Sequence, residues 1–264
     1  MSVSIAVTGA GGRMGQAILT LAMQDAGFKV TGLLERPGHA MIGLPAAAAF
    51  PVKVTAEPRE ALKGAQVLID FTKPEPSLQC LKAAEEAKVA MVIGTTGFSA
   101  ADRKAISDAA RNIPIVQSYN MSVGMNLLFS LVEEAAALLG ETYDIEIIEA
   151  HHKMKADAPS GSALRLGEGV AKAWGKKLVD LAVHGREGKV GERKKGTVGF
   201  HSVRGGDIVG DHTVLFAGPS EHLELKHVAH NRDIFAQGAL RAAAWLAGKP
   251  AGLYDMWDVL GLKK

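Results

Sequence analysis

Apolar residues along this chain recur in two rhythms that alternate almost from its start. Residues 3–8 are a short β-branched run, a glycine-rich break follows, and apolar positions return at Met14, Ile18, Leu21 and Ala22, the spacing of one helix face. A second run over 28–34 completes a strand–helix–strand unit, and the unit then repeats. The pattern predicts a strand at 66–71, a helix opened by Pro74 or Pro76 and running to Ala87, a strand at 89–93, a helix over about 100–111 and a strand at 113–117. After Ser122 the rhythm changes. A long apolar helix is expected over about 123–139, and residues 143–149 alternate polar and apolar, as a half-buried strand does. A helix over about 161–174, strands at 197–203, 212–217 and 222–228, and a helix over 231–247 ending before Pro250 complete the reading.

Strands that are apolar throughout and alternate with helices imply a parallel sheet covered on both faces. The expected class is α/β: a Rossmann-type dinucleotide-binding domain plus a smaller α+β domain with an open mixed sheet. The expected bounds are 1–121 with 231–264 for the first domain and 122–230 for the second. The two chain crossings, near 120–122 and 229–231, would act as a hinge. Composition agrees: 47% of residues are hydrophobic but only 5% aromatic, so the core must be aliphatic. The formal charge is +2 with both signs interspersed, which gives no electrostatic case for a nucleic-acid or membrane partner. With one cysteine, no intrachain disulfide can form. No apolar run is read as reaching transmembrane length, and the first seven residues lack the basic start of a signal peptide. A soluble, cytoplasmic protein is expected.

The break after the first strand reads Gly9, Ala10, Gly11, Gly12, Arg13, Met14, Gly15. Glycines there let the chain reverse sharply and bring backbone N–H groups and a helix N-terminus up to a pyrophosphate. The spacing is G-x-x-G-x-x-G, and Glu35 lies twenty residues past Gly15, where an acid can bind the adenosine ribose. A carboxylate at Glu35 favours the free hydroxyl of NADH, and the guanidinium of Arg36 suits the phosphate of NADPH. Both cofactors are therefore expected. The loop Gly94, Thr95, Thr96, Gly97, Phe98 ends another strand, where ligands of such sheets sit.

The richest chemistry is at 151–163, His-His-Lys-Met-Lys-Ala-Asp-Ala-Pro-Ser-Gly-Ser-Ala. His151 and His152 can exchange protons near neutral pH, Lys153 and Lys155 carry fixed positive charge, and the amides of Gly161 and Ser162 open a helix. This set describes a pocket for a carboxylate-bearing substrate that must be protonated. Elsewhere the sequence offers less. Cys80 lies on an apolar helix face and reads as core. The basic, glycine-containing stretch 186–195 reads as a mobile, solvated loop. His227 and His230 lack a third ligand, so no metal site is expected. His184, His201, His212 and His222 receive no role.

The run Glu149-x-His151-His152-x-x-Lys155-x-Asp157-Ala158-Pro159-Ser160-Gly161-Ser162-Ala163 resembles the signature of the 4-hydroxy-tetrahydrodipicolinate reductase (dihydrodipicolinate reductase) family. Residues 9–15, 94–98, 120–126, 199–213, 231–246 and 254–262 carry the same resemblance. Ala150 and Ser162 depart from it, standing where a larger aliphatic residue and a threonine are usual. The resemblance implies NAD(P)H-dependent reduction of a cyclic dicarboxylate in lysine and diaminopimelate synthesis, by a homotetramer. It implies His151 as the acid/base group, Lys155 as a second proton donor and His152, Gly161 and Ser162 as substrate contacts. The cofactor would be lined by Gly9 to Met14, Glu35, Arg36, Gly94 to Thr96, and Ser118, Tyr119, Asn120 and Met121. Two other readings stay open on the residues alone: another NAD(P)-dependent oxidoreductase acting on a carboxylate, or a non-catalytic NAD(P)H-sensing module.

Overall fold

The computed structural model describes residues 2–47 and 50–263; the first and last residues and Ala48–Ala49 lie outside it. The chain forms two compact units, 1–123 with 232–264 and 124–231.

In the first unit the strands are β1 (Val3–Thr8), β2 (Phe28–Leu34), β3 (Pro45–Ala47), β4 (Phe50–Thr55), β5 (Val67–Asp70), β6 (Ala90–Ile93) and β7 (Pro114–Gln117). The helices are α1 (Arg13–Gln24), α2 (Pro58–Ala61), α3 (Pro74–Ala87) and α4 (Ala100–Ala109). Among the described residues they form one eight-stranded sheet, ordered β13-β7-β6-β5-β1-β2-β4-β3, whose β13 (Gly252–Tyr254) returns from the C-terminal segment. Every pairing is parallel except β3 with β4. Strand order reverses on either side of β1, so the turn that leaves β1 opens at the crevice where such sheets bind ligands. Sequence chemistry sets the helix ends. Pro74 stands at the first turn of α3, Lys88 closes it in the left-handed conformation, and Ser99 and Asp102 form a capping box on α4.

One layer of core joins Ile5, Val7, Ile18, Val92 and Val116 to Ala239, Ala243 and Leu246 of the helix Asp233–Leu246. The other face packs Leu68, Met91, Ile93 and Ile115 with Leu81, Ile106 and Cys80. Cys80 is core, as expected, and burial pushes its thiol up to about 12. The helix Asp233–Leu246 approaches the chain so closely that a Cβ at Gly238 would lie 1.7 Å from the Met121 carbonyl oxygen.

The second unit contains α5 (Val123–Leu139), β8 (Asp144–His151), α6 (Gly161–Ala173), α7 (Leu178–Leu181), β9 (Ala182–His184), β10 (Val198–Arg204), β11 (Gly210–Ala217) and β12 (His222–Ala229). After it, α8 (Asp233–Leu246) and α9 (Met256–Leu260) belong to the first unit. Its five strands run β12-β11-β8-β10-β9; β8 is parallel to β10 and antiparallel to β11, the open mixed sheet anticipated. Alternation puts Ile145, Ile147, Val198, Phe200, Val214 and Phe216 on the buried face. Helix α6 covers this face, and α5 joins α6 through the Trp174 indole donating to the Ala136 carbonyl (3.2 Å).

Two expectations need correction. Val123–Thr142 is a 20-residue helical stretch of mean hydropathy 1.4, long and apolar enough by length and composition to cross a membrane, contrary to the first reading. Only a third of it is buried, because Leu127, Leu131 and Leu138 face outward while Met125, Phe129 and Val132 face inward. The stretch 186–195 is irregular and largely exposed, but it is not simply solvated. Arg186 binds both carboxylate oxygens of Glu146 (3.0 and 2.8 Å), and Arg193 bonds Glu146 and Asp144 (2.8 and 2.7 Å) and the carbonyls of Ile145 and Thr197. These contacts pin the stretch to β8.

Replacing Gly238 by alanine forces α8 away from Met121 and should cost about 1–3 kcal/mol or more. The urea midpoint reads this directly; an unchanged midpoint would contradict the close approach.

Candidate active site

In the first unit, Gly9 takes a φ of +61° and its carbonyl accepts from the Gly12 amide (2.8 Å). Gly15, in the first turn of α1, packs onto this turn: a Cβ there would lie 2.1 Å from the Gly9 carbonyl oxygen. Only glycine permits both, so the break after β1 is a tight cradle at a helix N-terminus. Ala10 is buried, whereas Arg13 is exposed and Met14 half-buried at the start of α1. Glu35, at the end of β2, accepts from the amides of Gly11 and Arg36 (3.0 Å each), and Arg36 is exposed. The Glu35 carboxylate is therefore tied to the cradle through the Gly11 amide, and Arg36 follows it at the surface.

The loops that leave β6 and β7 form a cleft. Thr95, Thr96, Ser118 and Tyr119 line this space of about 210 Å³, with Phe98 and Arg103. Gly94 tucks against the Phe71 ring, Ser118 donates to the Asn120 carbonyl (3.0 Å), and Met121 is buried. The sequence reading missed what organises these loops. Asp70 is fully buried at the end of β5, and its carboxylate accepts from the hydroxyls of Thr8 (2.6 Å), Thr72 (2.7 Å) and Thr95 (2.7 Å). One carboxylate thus ties the ends of β1 and β5 to the loop that leaves β6.

In the second unit β8 ends in His151, two residues past Glu149 and on the same sheet face. Glu149 is 1% exposed. Its Oε2 accepts from His151 Nδ1 (2.5 Å) and Arg204 Nη1 (2.9 Å). Its Oε1 accepts from Arg204 Nη2 (2.8 Å) and the Ser160 amide (3.2 Å). Burial pushes this carboxyl's pKa up, but the hydrogen bonds from Arg204, Ser202 and His151 outweigh burial and hold it near 2. An ionised carboxylate only accepts, so His151 carries a hydrogen on Nδ1 and presents Nε2. Nε2 points toward Gly210, where a Cβ would lie 3.0 Å from it. Burial pulls the His151 pKa below its ordinary value, against the Glu149 carboxylate and with help from Lys155 and Arg204.

The loop that follows returns to the sheet. The Lys155 amide donates to the His152 carbonyl (3.0 Å), and the Lys155 ammonium pairs with Asp157 (2.9 Å). Ser160 caps α6, its hydroxyl accepting from the Ala163 amide (3.2 Å). Gly161 and Ser162 form the first turn, whose amides point out of the helix end. His151, Lys155 and this helix start are brought together by the β8 end; His152 beside them is half-buried, whereas Met154 is 79% exposed.

The histidine given no role, His212, belongs here. Alternation along β11 turns it inward with Val214 and Phe216. Its ring meets His151 edge-on at 5.1 Å, and its Nε2 lies 3.1 Å from the Ser160 hydroxyl. Burial, with the His151 charge adding to it, lowers its pKa to about 3. His201, also passed over, pairs with Glu146 (2.7 Å) on the opposite face. No cluster of metal-ligating side chains occurs among the described residues.

The His212 shift sets an acid limit on stability. Below the unfolded value of about 6.5 the unfolded chain takes up a proton that folded His212 refuses, so stability falls from there down toward pH 3, by at most about 1.4 kcal/mol per pH unit from this group. Replacing His212 by Gln should flatten that fall in urea titrations between pH 6.5 and 4; an unaltered slope would show that His212 titrates normally.

Family comparisons agree with this architecture. Residues 3–121 match the family described as dihydrodipicolinate reductase, N-terminus, and residues 124–260 match dihydrodipicolinate reductase, C-terminus. A 4-hydroxy-tetrahydrodipicolinate reductase of Thiobacillus denitrificans is 55% identical, with 100% of both chains covered. One of Cupriavidus pinatubonensis is 51% identical over 99% of this chain and 100% of its own. Among solved structures, a dipicolinate-bound dihydrodipicolinate reductase from Paenisporosarcina sp. TG-14 shares the fold, with a TM-score of 0.79 at 24% identity over 98% of this chain and 99% of that one. With both of its segments matched and a relative this similar along its full length, the chain belongs to the dihydrodipicolinate reductase family.

Proposed function

We propose that the chain reduces 4-hydroxy-tetrahydrodipicolinate to tetrahydrodipicolinate, with loss of water, using NADPH or NADH, in lysine and diaminopimelate synthesis. The observation that carries the reading is the Glu149–His151 pair set beside Lys155 and the start of α6. Family membership and the shared name of relatives at about half identity support it.

NADPH or NADH, when bound, would supply the hydride that reduces the conjugated cyclic imine. The glycine cradle, Glu35 and Arg36 fit its pyrophosphate and ribose, and residues 94–96 and 118–121 line the rest of its place. Lys155, His152 and the amides of Gly161 and Ser162 hold the substrate carboxylates by charge and by the helix dipole. His151 supplies the proton. In the free protein burial keeps it largely neutral. A dianionic substrate at Lys155 adds negative charge beside the imidazole and raises its proton affinity, so the acid is loaded as the substrate arrives. Glu149 accepts the hydrogen bond from Nδ1–H throughout, which leaves Nε2 to give the proton up. Lys155 is the second donor.

The open face of the second sheet bears Ile148, Val203 and Val228, each more than a third exposed. Pairing of such faces would build the homotetramer, and a cytoplasmic location follows from the NAD(P)H pool that the reaction needs.

The test is oxidation of NADPH and NADH by the purified protein, with substrate made in place from pyruvate and aspartate semialdehyde by the preceding synthase. Turnover should require the synthase, and His151→Gln should lower it by about 10²–10⁴ while NADPH binding survives. Nucleotide binding without synthase-dependent oxidation would sink the reading.

A further inference from the structure

We infer that Arg204 is the positioning residue of this site, one guanidinium holding both proton-delivering groups in register. The inference rests on the reading of His151 and Lys155 given above. Arg204 ends β10, directly across from His151 in the parallel β8–β10 pair. Its two terminal nitrogens grip the two oxygens of Glu149 (2.9 and 2.8 Å), the carboxylate that fixes the His151 ring. The same Nη2 donates to the Asp157 carbonyl (2.6 Å), which anchors the loop carrying Lys155. The backbone beside it adds two more ties: the Gly205 amide donates to the His151 carbonyl (2.9 Å), and the Lys153 amide to the Gly206 carbonyl (3.2 Å).

The fork geometry is what the position requires. Lysine could neutralise Glu149, but one ammonium cannot span both carboxylate oxygens in a plane and reach a carbonyl behind them. Loss of the fork frees the Glu149 carboxylate to turn, and with it the His151 ring and the 152–159 loop. A displacement on the order of an ångström at a reacting group costs about 10²-fold in rate. Arg204 also contributes charge. The charged or titratable groups facing His151 are Glu149 on β8, Arg204 on β10, His212 on β11 and Lys155 on the loop, with Asp157 paired to Lys155. Removing the Arg204 cation while Glu149 stays makes His151 easier to protonate.

Arg204→Lys and Arg204→Met separate these effects. For Arg204→Lys, kcat should fall about 10-fold, and for Arg204→Met about 100-fold, with the Kd for NADPH unchanged. In Arg204→Met the limb of the pH–rate profile assigned to His151 should move to higher pH, and added methylguanidinium should restore part of kcat. Nitrogen-15 spectra of the histidine rings in the ligand-free protein give a readout that needs no turnover. Wild type should show His151 with hydrogen on Nδ1, and both variants should show mixed tautomers. Variants that keep kcat within twofold and wild-type ring signals would overturn the inference. Should Arg204→Met fail to fold, Arg204→Lys decides alone by the same two criteria. If wild type itself does not turn over the synthase product, the proposed reaction falls, and the ring spectra still decide whether Arg204 positions His151.

Discussion

The Glu149 carboxylate is the constraint on which the second unit's chemistry depends. A buried charge is tolerated only when its lone pairs are filled, and here they are filled by a strand end, a helix cap and a neighbouring strand at once. Meeting that demand fixes the β8–β10 register, places the Ser160 amide and hence the start of α6, and sets the His151 tautomer. The sheet, the start of α6 and His151 therefore meet at one point because one carboxylate must be satisfied. His212 and the Ser160 hydroxyl close the same network from β11.

Asp70 plays the corresponding part in the first unit. It too is buried at the end of a central strand, and it too is satisfied by groups from different segments, the hydroxyls of Thr8, Thr72 and Thr95. Both units thus place a buried carboxylate at a strand end, where it ties separate loops and strand ends together. Such groups rigidify loops that glycines would otherwise leave free.

Much of this was legible in the chain. β1, β2 and α5 fall at the residues that periodicity indicated, because β-branched runs and a long apolar helical face are local signals. The Gly9–Gly15 turn and the 151–163 stretch were visible because their chemistry is concentrated in consecutive residues. Much of what escaped was short or distant, although the six-residue β4 (Phe50–Thr55) also drew no expectation. β3, β9 and β13 have three residues each, too few to show a period. Arg204 lies 55 residues from Glu149, and His212 lies 52 from Ser160. One signal for His212 was present: it shares the inward alternation of Val214 and Phe216, an unusual place for a histidine unless it is bonded. Arg204 had none, since its importance arises only when β10 is laid beside β8. Asp70 could be read as a strand end, but its partners come from three separate segments.

The central claim is that His151, held by Glu149 and neutral in the free protein, acquires its proton when a dianionic ligand binds. Calorimetric titration with dipicolinate near pH 7.5, repeated in buffers of different ionisation enthalpy, measures that proton directly. The account predicts net uptake approaching one proton per site in wild type, and its loss in His151→Gln with binding retained. Binding with no uptake, or with release, would show that His151 is not loaded by the ligand and would contradict the mechanism.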